Sequence, residues 1–501
     1  MNKVILFNPR SAVAKHRVPN AILNIAASVN GIFEWVVVDG NCEDDPYARI
    51  RGLLLTGEYK YIGITVMPGP QTKQAIPFSK KIKEEFPQTV MIWGGYFPTN
   101  HYRTVLESGY VDFVINGPGD HAFPQLLDAI EHNKPWELIK NLIYRDVNGN
   151  IIKSTKADLI EQDTLASLPY DELNEMYPIR QHYLGKTWLG SHTLAYHSSI
   201  GCPFTCSFCA VVPTYEARWK AKSAQRVYND IKYIRDTWGA NAIEFHDNNF
   251  FVSEKRAVDF SRMITPEKMN WWGMARIDTM DRFHDESLAQ IREAGCRIIF
   301  FGAESGNDTV LKQLDKGGTQ SGEMILRFAE RMKKFDIIPE YSFVLGTPAP
   351  TPEQVMGQIE AEIEFIRKVK KVNPHTEIVL YTYSPVPAEG SELFEQVQAS
   401  GFSFPKKLED WIDPQWESFD LRKNPLTPWL QPEMIQKIRD FETVLNGAYP
   451  TVSDLRVTGL RKKLLQKMSA LRYHTNFYRA PYEIKFFHRL WKYRQPEIQG
   501  F

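Results

Sequence analysis

Short apolar runs separated by amphipathic stretches make up the first part of the chain. The segments VILFN, WVVVD, YIGITV, VMIWGG and VDFVING, between Val4 and Gly117, are almost continuous in apolar residues. Such runs suit parallel strands covered on both faces, where a half-solvated sheet would alternate. Between the third and fourth, TKQAIPFSKKIKEEF brings Ala75, Phe78, Ile82 and Phe86 to one helical face. The pattern predicts a doubly wound α/β domain over residues 1–138. Its small and turn-forming residues gather at strand ends: Asn8, Asp39, Thr65 with Gly69, Gly94 with Gly95, and Gly117 with Gly119. Open α/β sheets take their ligands at that edge.

Residues 139–190 read differently. LIYRDVNGNIIKS has the pattern of a hairpin around an Asn-Gly turn, and an acidic, irregular connection follows, so the stretch is expected to be a linker. From 191 to 400 a second series begins, with TLAYHSS, AIEFHDN, WWGMARID, RIIFFGAES, YSFVLGTP and IVLYTYSPVP as strands. Among the intervening helices, SAQRVYNDIKYIRDTW aligns Val227, Ile231, Ile234 and Trp238. Six such units predict a partial (β/α)6, TIM-like barrel, whose reactive residues stand at the C-terminal strand ends. Those ends carry His246, Asp247 and Asn248, then Arg276 and Asp278, then Glu304 and Ser305. Residues 401–501 lose the alternation and predict a helical region rich in basic and aromatic residues.

At 501 residues the chain is long enough for several cores. Sixty Lys and Arg balance sixty Asp and Glu, which removes any electrostatic case for a nucleic-acid partner of the whole chain. The apolar run in MNKVILFNPRSA is too brief for a signal-peptide core, and no window reaches the length of a membrane span. Five cysteines, three of them crowded together, make no disulfide framework, so a reducing cytoplasm is the expected compartment. Cys42 and Cys296 read as core thiols. Between Arg456 and Arg494 the cations far outnumber acids and alternate with Phe477, Tyr478, Tyr482, Phe486, Phe487, Trp491 and Tyr493. A solvated helical face is the default explanation. The sharper one is contact with an anionic membrane surface, or cover for a hydrophobic substrate such as a lipid, isoprenoid or tetrapyrrole. No recognisable single-strand binding module accompanies the stretch.

The crowded cysteines are Cys202, Cys206 and Cys209, spaced C-x3-C-x2-C in GCPFTCSFC. Three thiolates on a loop leaving a strand can take three corners of a tetrahedral metal site or three irons of a [4Fe–4S] cluster. Structural zinc sites usually pair two C-x2-4-C knuckles, and the sequence has no second pair, although His197 stands near.

CPFTCSFC resembles the signature of the radical S-adenosylmethionine (SAM) enzymes, C-x3-C-x-aromatic-C, with Phe208 at the aromatic position. The resemblance implies that the three cysteines hold a [4Fe–4S] cluster whose open iron is chelated by SAM. Reductive cleavage of SAM then gives a 5′-deoxyadenosyl radical that takes a hydrogen atom from substrate. FHDNNFF resembles a strand end of the cobalamin-associated members, with Asn248 in place of a second acid. FFGAESGNDTVL and FVLGTPAPT resemble further motifs of that branch. By this resemblance Phe208, Asp247, Asn248, Arg276, Glu304 and Ser305 are candidates for binding SAM. YIGITVMPGPQT, IWGGYFPTN and VDFVINGPGD are similar to the Rossmann-like cobalamin domain of the same branch, which implies a nucleotide tail along Thr65, Gly69, Gly94, Gly95, Gly117 and Gly119. The D-x-H-x-x-G motif of some cobalamin domains is absent, which leaves His16 and His101 as the histidines to consider as cobalt ligands.

The resemblance implies a cytoplasmic, oxygen-sensitive B12-dependent radical SAM enzyme, with methyl transfer to an unactivated carbon as the leading expectation. The two domains should pack closely, since methyl donor and radical must meet one substrate. His246, Tyr381 and Tyr383 are candidates to stand near a small-molecule substrate, and a low-potential donor such as flavodoxin or ferredoxin would supply the electron. The main alternative is oxidative ring closure, as in the anaerobic magnesium-protoporphyrin monomethyl ester cyclase. A cluster-bearing sensor without turnover is the alternative from another class.

Overall fold

The computed structural model describes residues 3–11, 17–316, 319–386, 392–416, 426–451 and 459–491. Strands β1 (Lys3–Asn8), β2 (Trp35–Asp39), β3 (Tyr59–Thr65), β4 (Val90–Gly94) and β5 (Phe113–Ile115) are the five apolar runs. They pair in parallel in the order β2-β1-β3-β4-β5, so the switch point lies between β1 and β3. The helices Asn20–Val29 and Ala122–Glu131 cover one face and Thr72–Glu85 the other, the last through Ala75, Ile76 and Ile82. The Asn-Gly hairpin, β6 (Leu142–Arg145) and β7 (Ile151–Lys153), is not part of a free linker. It pairs antiparallel to β5 and extends the first sheet, with Leu142 and Ile143 wholly buried.

The second sheet consists of β8 (Thr193–Tyr196), β11 (Ala242–Phe245), β12 (Asn270–Ala275), β13 (Cys296–Glu304), β14 (Ile338–Leu345) and β15 (Glu377–Thr382), all parallel and in sequence order. The expected six-unit partial barrel is therefore present. β9 (Ser199–Gly201) and β10 (Trp219–Ala221) form a separate antiparallel pair next to β8, an element that the hydrophobic pattern did not signal. Alternation along the barrel strands divides their side chains. Phe245, Trp271, Phe301 and Tyr341 pack outward among the helices, with Phe245 and Trp271 against Phe260 and Phe301 against Phe328. Glu244, His246, Trp272, Phe300 and Glu340 lie half-buried on the concave side.

The C-terminal region is helical as expected, with Pro432–Ala448, Gly459–His474 and Tyr482–Trp491. Before these helices, Phe404, Trp411 and Trp416 pack onto the first domain around Phe97 and His101. His101 is thereby enclosed by aromatic rings, and burial lowers its pKa to about 3. Its ring is taken up in an aromatic cluster with Phe97, Phe404 and Trp411, which accounts for it as a packing residue. His16 lies outside the described residues.

Asp39 ties the sheet to the connection. Its carboxylate is wholly buried and accepts from Asn8 Nδ2 at 3.0 Å, from the Asn41 backbone and side-chain nitrogens at 2.9 and 2.8 Å, and from the Tyr183 hydroxyl at 2.8 Å. Removing such an acceptor leaves several buried donors unpaired. Asp39→Ala is expected to destabilise the folded protein by about 2–3 kcal/mol, and Asp39→Asn by less. Equilibrium urea unfolding of both variants checks this, and equal midpoints for wild type and Asp39→Ala would refute it.

Candidate active site

The three cysteines sit on the loop between β9 and β10. Gly201 has a φ of +73°, and a Cβ there would lie 2.1 Å from the Arg218 carbonyl oxygen, so the base of the loop closes only on glycine. Asp247, at the end of β11, fixes where the loop starts. Its buried carboxylate accepts from the Ser198 N–H at 3.0 Å, from the Ser198 hydroxyl at 3.0 Å, and from the Ser199 hydroxyl. Arg256 adds Nη2 to the Ser198 carbonyl at 3.1 Å. Asp247, expected to bind SAM, accepts these donors and anchors the start of the loop. Ser207 holds the far side of the loop, through its N–H to Leu314 and its hydroxyl to Gln313.

Arg276, at the end of β12, lies against the loop. It gives Nε and Nη2 to the two Asp278 oxygens at 2.9 and 2.7 Å, and Nη1 to Cys206 Sγ at 3.1 Å. The Phe204 ring stacks on the guanidinium at 4.0 Å. Burial works against an ionised Asp278, but Arg276 holds its carboxyl below the usual range. Burial pushes the Cys202 thiol up, while the Phe204 N–H, Arg276 and Lys316 act the other way. Among the described residues no three His, Cys, Asp or Glu gather as tightly as a single ion requires. An iron–sulfur cluster asks for one thiolate at each of several corners instead.

The remaining predicted residues divide. Glu304 pairs with buried Lys316 at 2.9 Å and accepts from Ser342 at 3.2 Å. Ser305, expected at SAM, gives its hydroxyl to Glu362 on the helix Pro352–Val372. Phe208 packs with Tyr381 and Tyr383 in a cluster that also holds Val344 and Leu314. Tyr383 is buried, 6.2 Å from Trp429 between ring centres. His246 stands on the concave side, 3.4 Å from Glu244, which also pairs with Arg17 of the first domain at 2.8 Å.

On the first sheet, Thr65 and Gly94 are paired across β3 and β4. Gly95 (φ +101°) and Gly117 (φ +112°) take left-handed backbone at the same edge, and a Cβ on Gly94 would meet nothing nearer than Ile115 at 3.8 Å. Gly69 follows β3 in the turn that enters the helix Thr72–Glu85. Gly119 differs: a Cβ there would lie 2.6 Å from Ile25, so this glycine serves helix packing and not the edge.

The two edges meet. The short helix Val211–Tyr215, directly after Cys209, packs on the helix Tyr96–Asn100, and Lys156 gives Nζ to the Thr214 carbonyl at 2.6 Å. The Tyr96 hydroxyl reaches Asn248 Oδ1 at 3.2 Å and feels the charges of Cys209 and Cys202. Tyr96 follows the Gly94-Gly95 turn, and sequence reasoning missed it because its partner is 152 residues away. Two buried amides were also missed. Asn116 at the first edge and Asn249 at the barrel mouth each have both side-chain polar atoms without a protein partner. Asn116 directly follows β5 and Asn249 closes the polar run His246–Asn249 after β11, and that polarity was their signal in the sequence.

Residues 196–380 match the family model of the radical SAM superfamily. An uncharacterised methyltransferase of Pyrococcus horikoshii is 27% identical over 377 residues, which span 73% of this chain and 78% of that protein. The anaerobic magnesium-protoporphyrin IX monomethyl ester cyclase of Synechocystis is 25% identical over 48% of this chain, and this chain spans only 47% of the cyclase. Among solved structures, the cobalamin-dependent SAM radical enzyme OxsB, with aqua-cobalamin and SAM bound, superposes with a TM-score of 0.70 at 14% identity, covering 98% of this chain and 72% of that one. Residues 196–380 therefore form a radical SAM domain, and the chain has the fold of the cobalamin-dependent enzyme OxsB.

Proposed function

We propose that the protein is a cobalamin-dependent radical SAM methyltransferase that transfers a methyl group to an unactivated carbon of a small molecule. The observation that carries this reading is the meeting of the cysteine loop with the glycine edge of the first sheet through Tyr96 and Asn248. The residues present fit the groups involved. Cys202, Cys206 and Cys209 are placed to hold a [4Fe–4S] cluster, with a guanidinium already donating to one sulfur. Gly94 leaves open space for the cobalamin tail beside Thr65, Gly95 and Gly117, and the orphaned amide of Asn116 offers it hydrogen bonds. When bound, the cluster with SAM supplies hydrogen-atom abstraction, and cobalamin carries the methyl group.

The protein's own part is geometric. Asp278 fixes the Arg276 guanidinium, Arg276 orients Cys206, and Phe204 covers the other face of the guanidinium. The buried, unpartnered amide of Asn249, four residues after β11, supports a role in meeting SAM. Trp272 and Phe300 give the concave side an apolar lining for a hydrophobic substrate body, with Glu340 and His246 as polar positions. Trp272 Nε1 donates to Glu340 Oε2 at 3.2 Å. Burial first, and then the nearby Glu244 charge, raise the Glu340 carboxyl to about 7, which leaves it able to donate a proton or hydrogen bond to substrate. A flavodoxin or ferredoxin is the proposed source of the electron. Oxidative cyclisation is the second reading, favoured by the likeness to the cyclase.

Anaerobic protein supplied with iron, sulfide, cobalamin, SAM and a low-potential reductant is expected to form 5′-deoxyadenosine, S-adenosylhomocysteine and methylcobalamin, quantified by mass spectrometry. Formation of 5′-deoxyadenosine alone favours cyclisation, and none of the three refutes the radical enzyme. Cys206→Ala is expected to lose cluster absorbance and SAM cleavage while retaining cobalamin; a variant still producing 5′-deoxyadenosine would contradict the cluster assignment. For Glu340 the sign is set by its raised pKa, from 4.5 to about 7. The folded state holds a proton more tightly than the unfolded chain, so this stabilisation is complete below 4.5 and disappears as pH rises through about 7. Glu340→Gln removes that slope, and parallel curves of melting temperature against pH for variant and wild type would show the carboxyl to be ordinary.

A further inference from the structure

The last two helices present a second apolar surface that no described residue covers. In Gly459–His474, Leu465, Ser469 and Tyr473 form the buried face. Leu460, Leu464 and Leu471 lie on the opposite side of the same helix, between 46% and 83% exposed. In Tyr482–Trp491, Ile484 is buried, while Tyr482, Phe486 and Leu490 follow one another at i, i+4 and i+8 on the outward side, each more than 60% exposed. Both helices pack against the same place. A Cβ on Gly447 of the helix Pro432–Ala448 would touch Ser469 at 2.1 Å and Ile484 at 3.5 Å. Each helix therefore turns its buried side to this common support and carries its apolar stripe on the other side.

The charges around these stripes have one sign. Residues 459–491 contain eight Lys and Arg against one acid, Glu483. Glu483 is already paired with Arg472. Arg461, Lys463, Lys467, Arg479 and Arg489 are exposed, and none has an acidic partner among the described residues. The anchor beneath them is rigid: buried Asp440 accepts from Lys485 at 2.7 Å and from the Ala480 N–H at 2.8 Å. Exposed apolar side chains and cations without acidic partners, on helices tied to a packed support, match an anionic lipid surface, where the apolar row enters the headgroup boundary and the cations meet phosphates. A protein partner would have to be both acidic and apolar over the same stripe.

We infer that the face formed by Leu460, Leu464, Leu471, Tyr482, Phe486 and Leu490 docks the protein on the surface of an anionic membrane. This inference stands on the C-terminal surface alone and does not depend on the catalytic reading above. It would place the enzyme beside lipid-soluble substrates.

The test is co-sedimentation of the full chain with phosphatidylcholine vesicles with and without phosphatidylglycerol, at low and high salt. Binding is expected only to the anionic vesicles, weakened at least about tenfold by high salt. Leu464→Glu with Phe486→Glu should reduce it by a similar factor while far-UV circular dichroism and melting temperature stay those of wild type. Lys463→Gln with Lys467→Gln, which leaves the apolar row intact, should give a smaller loss. Three results would overturn the inference: wild type remaining in the supernatant, equal binding to neutral vesicles, or unchanged binding by folded Leu464→Glu/Phe486→Glu. A concentration-dependent dimer in sedimentation velocity that this double variant abolishes would reassign the face to a second copy of the chain.

Discussion

The buried carboxylate of Asp247 sets the direction in which the cysteine loop leaves the barrel. A parallel strand with a polar end normally runs straight into its helix. Here the chain leaves β8, gives Ser198 N–H and two hydroxyls to Asp247, and turns into the β9–β10 pair before any helix begins. Arg256 supplies the positive charge beside that carboxylate and holds the Ser198 carbonyl as well. A buried anion surrounded in this way is costly to disturb, because losing either side leaves an uncompensated charge or several unpaired donors. The position of Cys202, Cys206 and Cys209 depends on this junction more than on the loop's own residues.

The second constraint is the guanidinium of Arg276. Its planar fork is used in full: one edge on Asp278, one nitrogen on Cys206, one face on Phe204. Lysine offers a single point charge and could not serve three partners lying in different directions. Because Asp278 belongs to the strand end and Cys206 to the loop, the guanidinium sets the loop's height above the barrel. The short helix after Cys209 then meets Tyr96–Asn100, so the first domain closes the side that the barrel strands leave open.

Most of the architecture was legible because it is periodic. All eleven principal parallel strands announce themselves as apolar runs, and the helix Ala224–Trp238 buries Val227, Ile231, Ile234 and Trp238 as its spacing demands. The β9–β10 pair was not legible, since strands of three residues carry no period. The hairpin at Asn148–Gly149 was read correctly as a hairpin but not placed, because edge pairing to β5 depends on which buried edge lies free, a tertiary fact. At the site, the cysteines and Arg276 were readable from type and spacing. The Ser305–Glu362 contact was not legible, because a polar strand end serves a cofactor and a neighbouring helix equally well. A clue was present in Glu362, an acid set among Ile359, Ile363 and Ile366 on the buried face of its helix, which must find a donor.

The segment around Phe404, Trp411 and Trp416 shows how the last region contributes to the site without touching it. It crosses from the barrel to the first domain and closes an aromatic box around His101, with ring centres 4.4–5.1 Å from that imidazole. Phe404 and Trp416 also border the cluster that contains Phe208, Tyr381 and Tyr383. One aromatic strap therefore packs on the helix after the Gly94–Gly95 turn and on the cluster holding Phe208, one residue before Cys209. Close-packed interiors transmit displacement poorly tolerated by either side. Sliding one domain relative to the other would have to break the strap, the Tyr96–Asn248 contact and the Arg17–Glu244 ion pair together. The spacing between the two edges is in this way fixed by folding, and a ligand entering between them meets a gap whose width is already set.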